Sequence, residues 1–162
     1  MLAFLLATAI LGPGDVASMT ANADAVIHAR VLRRESAWAP GGGVIVTTVF
    51  LAPLETWKGS PATEVRVVFP GGEVGEFSQT VSGMAVFRDG EEVVVFLRKR
   101  GGGAFSLDRL ALGKFSVGAP PGLPKRALRD RRGLDCTGCN VSESDDFSLD
   151  ELRARVLGSL RK

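Results

Sequence analysis

The chain predicts an all-β domain closed by one C-terminal helix, on three observations. Residues 91–99 hold Val93, Val94, Val95, Phe96 and Leu97 in an unbroken apolar run with charge at both ends. That is the pattern of a strand buried on both faces, the centre of a small closed sheet. Twenty glycines and eight prolines in 162 residues supply a turn signal roughly every ten residues, as short-stranded sandwiches and barrels require. The clearest helical periodicity is confined to the last fifteen residues or so.

Length and composition narrow the class. The chain fits one domain with appendages. A hydrophobic fraction of 45% is ordinary for a globular protein, and a net charge of +2 does not argue for nucleic acid or an anionic membrane surface. With no Tyr, one His and two Cys, few parts are present for an active site, and no cofactor is expected.

Residues 2–11 (LAFLLATAIL) are apolar throughout and end at Gly12-Pro13-Gly14. A membrane span needs about 20 residues, so the run matches the apolar region of a secretory signal peptide, although no Lys or Arg precedes it. We assign residues 1–14 to that signal. Ala21-Asn22-Ala23 also fits a cleavage pattern, but cutting there would remove residues the fold needs. No Cys follows for lipid attachment. The expected location is the periplasm or the exterior, with no stable membrane insertion after cleavage.

The barrel domain is assigned to residues 15–117. Residues 15–23 suit one or two helical turns. Residues 25–32 alternate, with Ala25, Ile27, Ala29 and Val31 on one face and Val26, His28, Arg30 and Leu32 on the other. Residues 33–43 read as a polar, Gly-rich loop containing Trp38. Residues 44–51 form a second strand, with Pro53 at its end or at a bulge, and residues 54–57 continue it after a bend. Residues 64–69 form a third, with Val65, Val67 and Phe69 inward. Residues 73–82 read as an irregular strand or long loop. A turn at Arg88-Asp89-Gly90 then leads into the central strand. Residues 104–107 and a closing strand over 110–117 follow. Five to seven strands fit a partly open Greek-key barrel as well as a sandwich.

Residues 118–146 read as a linker opened by GAPPGLP. Its basic run, residues 125–132 (KRALRDRR), is expected as a solvated segment or short exposed helix, with Arg126 and Arg129 as candidates for docking an acidic partner. Residues 147–162 are the C-terminal helix. Ser148 and Glu151 form a capping box, Phe147 and Leu152 a hydrophobic staple. Leu149, Leu152, Val156, Leu157 and Leu160 form one stripe for packing on the barrel.

Cys136-Thr137-Gly138-Cys139 is the one site-like motif. A local disulfide suits an exported protein. A redox pair would want a helix after it, and the acidic run from Asn140 to Asp146 is a poor helix former. A zinc half-site would need two further ligands, and His28 alone does not supply them. His28 reads as a surface or edge histidine, since a general base needs a nucleophile and an orienting acid beside it. Gly71-Gly72-Glu73-Val74-Gly75 lacks the Lys and helix of a phosphate loop. Phe50, Phe69, Phe77, Phe87 and Phe96 mostly alternate into the core, so base stacking is not expected.

The order of motifs resembles a group of uncharacterised exported bacterial proteins. It is carried by Ala23-Asp24-Ala25-Val26-Ile27-His28-Ala29-Arg30-Val31, Leu54-Glu55-Thr56-Trp57-Lys58-Gly59 and Phe69-Pro70-Gly71-Gly72, then by the segments at Gly90–Leu97, Leu112–Val117 and Ser148–Leu152. More distantly the layout is similar to netrin-like domains, the OB-type barrels of tissue inhibitors of metalloproteinases. The resemblance implies an OB-like Greek-key barrel with a terminal helix. It does not carry inhibition over, because those inhibitors begin with a zinc-chelating Cys that this N-terminus lacks. The expectation is an exported, non-catalytic module that binds another exported protein, with His28, Arg30, Trp38, Arg126 and Arg129 as candidate binding residues. A thiol–disulfide function at Cys136 and Cys139 and nucleic-acid binding by the barrel are the alternatives.

Overall fold

A computed structural model describes residues 14–131 and 143–162. The strands are β1 (Ala25–Trp38), β2 (Ile45–Lys58), β3 (Val65–Pro70), β4 (Gly72–Val74), β5 (Phe77–Gln79), β6 (Glu92–Lys99), β7 (Phe105–Leu107), β8 (Lys114–Gly118), β9 (Arg126–Leu128) and β10 (Asp146–Ser148). Two helices, α1 (Val16–Asn22) and α2 (Leu149–Ser159), flank them.

β1 pairs antiparallel with β2 along its whole length and with β6 from Ala25 to Arg30. β2 pairs with β3, β3 meets β7 in parallel at Val67 and Phe105, and β7 returns antiparallel to β6. The circuit β1-β2-β3-β7-β6 closes on itself, which makes an OB-like five-stranded barrel. On β6, the edge opposite β1 is shared: β7 takes Leu97 to Lys99 and β8 takes Glu92 to Val95. β8 then carries β9 and β10 away from the barrel.

The double-sided burial of β6 follows from its alternation. Val93, Val95 and Leu97 enter the barrel interior with Ile27, Val49, Leu51, Val65 and Val67. Val94 and Phe96 face outward into a second apolar compartment with Met19, Trp57, Leu112, Phe115, Phe147, Leu152 and Val156. β1 obeys the same parity: Ala25, Ile27, Ala29 and Val31 point inward, while Val26 belongs to the second compartment. The two helices lid that compartment. Asp15 accepts a hydrogen bond from the Ser18 N–H at 3.0 Å and Ser148 from that of Glu151 at 3.1 Å, each capping its helix. Leu152 and Val156 are fully buried, each contributing about 1.5–3 kcal/mol by transfer from water.

Three expectations are corrected. Residues 33–38 are strand, because β2 supplies a ladder as far as the Trp38–Ile45 pair. The closing strand is split: Leu110–Gly113 is a 3₁₀ turn, and β7 rather than β8 closes the barrel. Arg109 and Leu110 there take left-handed φ values of 52° and 55°, each at a cost of about 1–2 kcal/mol. Within residues 118–146, Arg126–Leu128 is β9, an inserted sheet strand between β8 and β10, so that part of the basic run is neither coil nor helix. Among the helix cations, Arg155 turns back to Glu151 and Glu143 at 3.0 and 2.8 Å and leaves the C-terminal carbonyls alone.

Candidate functional site

The outer half of the β1–β2 hairpin projects past the barrel, and its inner face forms one wall of a mouth. The β4–β5 hairpin folds over that face. Gly72 is required at the crossing: at φ 133°, a Cβ there would lie 2.2 Å from Thr47 Oγ1 and 2.6 Å from Ser36 Oγ. Thr47 Oγ1 donates to the Gly71 carbonyl at 2.7 Å and is 2.8 Å from Ser36 Oγ. Gln79 fastens the crossing strand, accepting from the Ile45 N–H at 2.6 Å and donating to the Gly43 carbonyl at 3.0 Å.

Beneath these contacts lies a cavity of about 530 Å³. Phe69 and Phe87, stacked with centroids 6.0 Å apart, line it together with Ser36, Thr47 and Val86. Arg34 stands at its edge, paired with Asp89 at 2.8 Å. At the hairpin end Trp38 meets Phe77 edge-on at 5.5 Å, yet the two remain 39% and 63% exposed. Val44 beside them is also exposed. Rigid aromatic area left in water at a concave mouth is the composition of a binding surface.

Trp38 is thus a sequence candidate at the mouth. Phe77, grouped in the sequence with phenylalanines that mostly alternate into the core, is instead exposed, because its three-residue strand carries no readable alternation; Phe87 and Phe96 are buried as expected and Phe69 packs against the barrel core.

His28 and Arg30 lie elsewhere, on the outer face of β1. His28 is buried, contrary to the surface reading, and its Nε2 is 2.5 Å from Glu92 Oε1. Glu92 also takes Lys125 Nζ at 2.8 Å, while Arg30 approaches its second oxygen at 3.5 Å. Burial pushes the Glu92 carboxyl up, but Lys125 and His28 outweigh it and hold it below its usual range. The His28 ring leans on Trp57, centroids 6.2 Å apart. Together these groups tie β1, β6 and the segment before β9; the imidazole faces a carboxylate already shared by cations, not a nucleophile.

Arg126 is exposed and paired with Asp146 at 2.7 Å. Arg129 is a correction: its side chain is wholly buried, with Nε 2.8 Å from Asp145, a guanidinium N–H donating to the Gly14 carbonyl at 2.6 Å, and its plane over Phe115 at 5.0 Å. It joins the two ends of the chain and is not available for docking. Cys136 and Cys139 lie outside the described residues. Among the described residues no cluster of three or more side chains could hold a metal.

A further buried pair escaped the sequence reading. Lys114 Nζ reaches Glu91 at 2.8 Å, Ser116 at 3.2 Å and the Val86 carbonyl, above the Phe87 ring. The only sequence signal is a cation opening an apolar strand. Burial lowers the Lys114 ammonium's pKa. Burial raises the Glu91 carboxyl's, but Lys114, Ser116 and the Arg88 N–H outweigh it and leave it below the unfolded value of 4.5. A depressed carboxyl contributes its stability in full above that unfolded value and loses it as pH falls through the folded one. We therefore expect Glu91→Gln to destabilise the protein at neutral pH and to flatten the acid arm of its stability curve. Urea midpoints at neutral and acid pH measure this; an unchanged acid arm would refute the assignment.

Compared with known protein families and with curated proteins, the chain matches none.

Proposed function

We propose that the protein is an exported, non-catalytic binding module, and that the barrel mouth around Trp38 and Phe77 receives another exported protein. The observation that carries this reading is the edge-to-face Trp38–Phe77 pair, held in solvent by two hairpins beside the cavity that Ser36 and Ser78 line. Large aromatic side chains fixed in place lose little entropy on binding and dominate interface energetics. The rest of the mouth suits recognition rather than reaction: Ser36, Thr47 and Gln79 spend their polar atoms on holding the hairpins together.

Export rests on the apolar N-terminal run. Burial of Gly14, Val16 and Met19 supports removal of the signal ahead of Gly14 rather than after Ala23, since the later cut would delete α1.

A photo-reactive amino acid at position 77, with a second at exposed Leu160 just past α2 as control, tests the mouth in the host's exported fraction. The expected result is one discrete adduct from position 77, abolished by Trp38→Ala, on a protein whose intact mass lacks the signal. Equal adducts from both positions, or none from position 77, would sink the proposal, and an intact mass retaining the signal would sink export.

A further inference from the structure

β1 is longer than the strand that flanks it. β6 accompanies it only to the Arg30–Glu92 pair. The Val31 N–H donates to the Glu91 carbonyl and the Gly90 N–H to that of Val31, both at 2.8 Å, and the chain then turns away. Beyond this point β1 has β2 on one edge only.

The hydrogen-bond phase of that outer half is fixed at its end. The Ala39 N–H donates to the Val44 carbonyl at 2.8 Å. By the period of two, Ala37, Glu35 and Arg33 then bond to Val46, Thr48 and Phe50. The Gly71 N–H on the Ile45 carbonyl agrees, since it turns alternate residues of β2 toward β3. The peptide groups of Arg34, Ser36 and Trp38 therefore point away from β2, and they have no strand partner among the described residues. By contrast, β2 beyond Leu51 carries Pro53 beside a register break, and Arg153 of α2 crosses to Glu55 at 2.6 Å. Proline, bulges and cover are the usual protections of an edge. Past the bulge at Leu32, the outer edge of β1 from Arg34 to Trp38 has none of the three.

Alternating free N–H and C=O groups on an extended chain match another extended chain, and the side chains choose which. We propose that a second copy of this protein adds to the edge, giving a two-fold symmetric dimer through antiparallel β1–β1 pairing centred on Ser36. Edge-facing residues must pair with edge-facing residues, so few registers exist. Centring on Ser36 sets each Arg34 opposite the other copy's Trp38 and each Glu35 opposite Ala37. A guanidinium is then beside an indole at both ends, and no charge faces its like. Centring on Glu35 opposes that carboxylate to itself; centring on Ala37 sets Arg34 against Pro40 and loses both cation–aromatic pairs. Because Arg34, Ser36 and Trp38 share the face that carries the cavity, both mouths open on the same side of the resulting β2-β1-β1-β2 sheet. A five-residue ladder is a small interface, so the dimer is weak. Trp38 serves both this edge and the mouth, and the position-36 disulfide separates the two proposals, since a different protein in the mouth cannot form it.

Sedimentation equilibrium of the full chain between about 10 and 500 μM spans the affinities such an interface supports. The expected result is a monomer–dimer equilibrium. Trp38→Ala weakens it about tenfold by removing both cation–aromatic pairs. Ser36→Pro abolishes it, because the edge N–H is lost and the β2 ladder does not use that N–H. Opposed residues of a hydrogen-bonded antiparallel pair have Cα atoms about 5.5 Å apart, within disulfide reach. Mild oxidation of Ser36→Cys should therefore give a covalent dimer whose peptide map joins the two position-36 sulfurs. A monomer at every concentration overturns the proposal. So does a dimer indifferent to Trp38→Ala, which remains informative even if the proline variant does not fold, or one whose position-36 sulfurs never join.

Discussion

Phe96→Ala is expected to lower the unfolding free energy by about 3–5 kcal/mol, the range for a large aromatic truncated in a core that cannot collapse. Phe96 is fully buried on the outward face of β6, 6.2 Å from the Phe115 ring, which in turn lies 6.1 Å from that of Phe147. Its neighbours come from β8, β10 and the helices, while the backbone beneath it is held on both edges by β1 and by β7 and β8. Collapse into the void would therefore have to drag a strand the barrel has fixed. Urea denaturation measures the loss. Phe77→Ala, which truncates an exposed ring, should stay within about 0.5 kcal/mol. A similarly small loss for Phe96 would mean that the second compartment does not melt with the barrel.

The next largest effect is expected from Gly113→Ala. A Cβ at Gly113 would lie 2.2 Å from the Asp108 carbonyl oxygen and 3.2 Å from its carbon. That backbone is not free to retreat, because the Asp108 N–H donates to the Phe96 carbonyl at 2.8 Å and the next two residues are already left-handed. The Asp108 carboxylate is also held in place, paired with the Arg109 guanidinium at 3.2 Å. A loss of about 3 kcal/mol is expected, at the upper end for overpacking, and thermal unfolding would show it. Wild-type stability would mean that the 3₁₀ turn between β7 and β8 yields easily.

Much of this was legible where a residue's face and its neighbours coincide. β6 was readable because both faces are apolar, the first half of β1 because only one is wholly so, and α2 because Ser148 and Glu151 sit at capping distance. The rest depends on partners far along the chain. Arg33 to Trp38 look like loop since none of their side chains is fully buried and the β2 ladder that makes them strand leaves no mark in their own residues. β9 hides in KRALRDRR for the same reason: β8 and β10 take its peptide groups, and only Ala127 is buried among them. Arg129 could not be read as buried, because its acceptors are Gly14, 115 residues away, and Asp145. The mouth was half visible: Trp38 stood out as an aromatic among polar residues, but Phe77 gains meaning only when β4 and β5 fold across to meet it.

The lid over the second compartment is made from opposite ends of the chain. Val16 and Met19 of α1 share one apolar cluster with Leu152 and Val156 of α2, and Arg129 and Glu143 bond to the backbone at Gly14 and Val16. Polypeptides are made and delivered N-terminus first, at about 5–20 residues per second. The barrel's five strands are complete by Leu107, so its circuit can close while the last third of the protein is still arriving. α1 must wait through that interval with Met19 and Val16 uncovered, and so must the outward face of β6. Assembly thus has a built-in delay: α1 emerges ahead of every strand of the barrel, and α2, its shelter, follows them all.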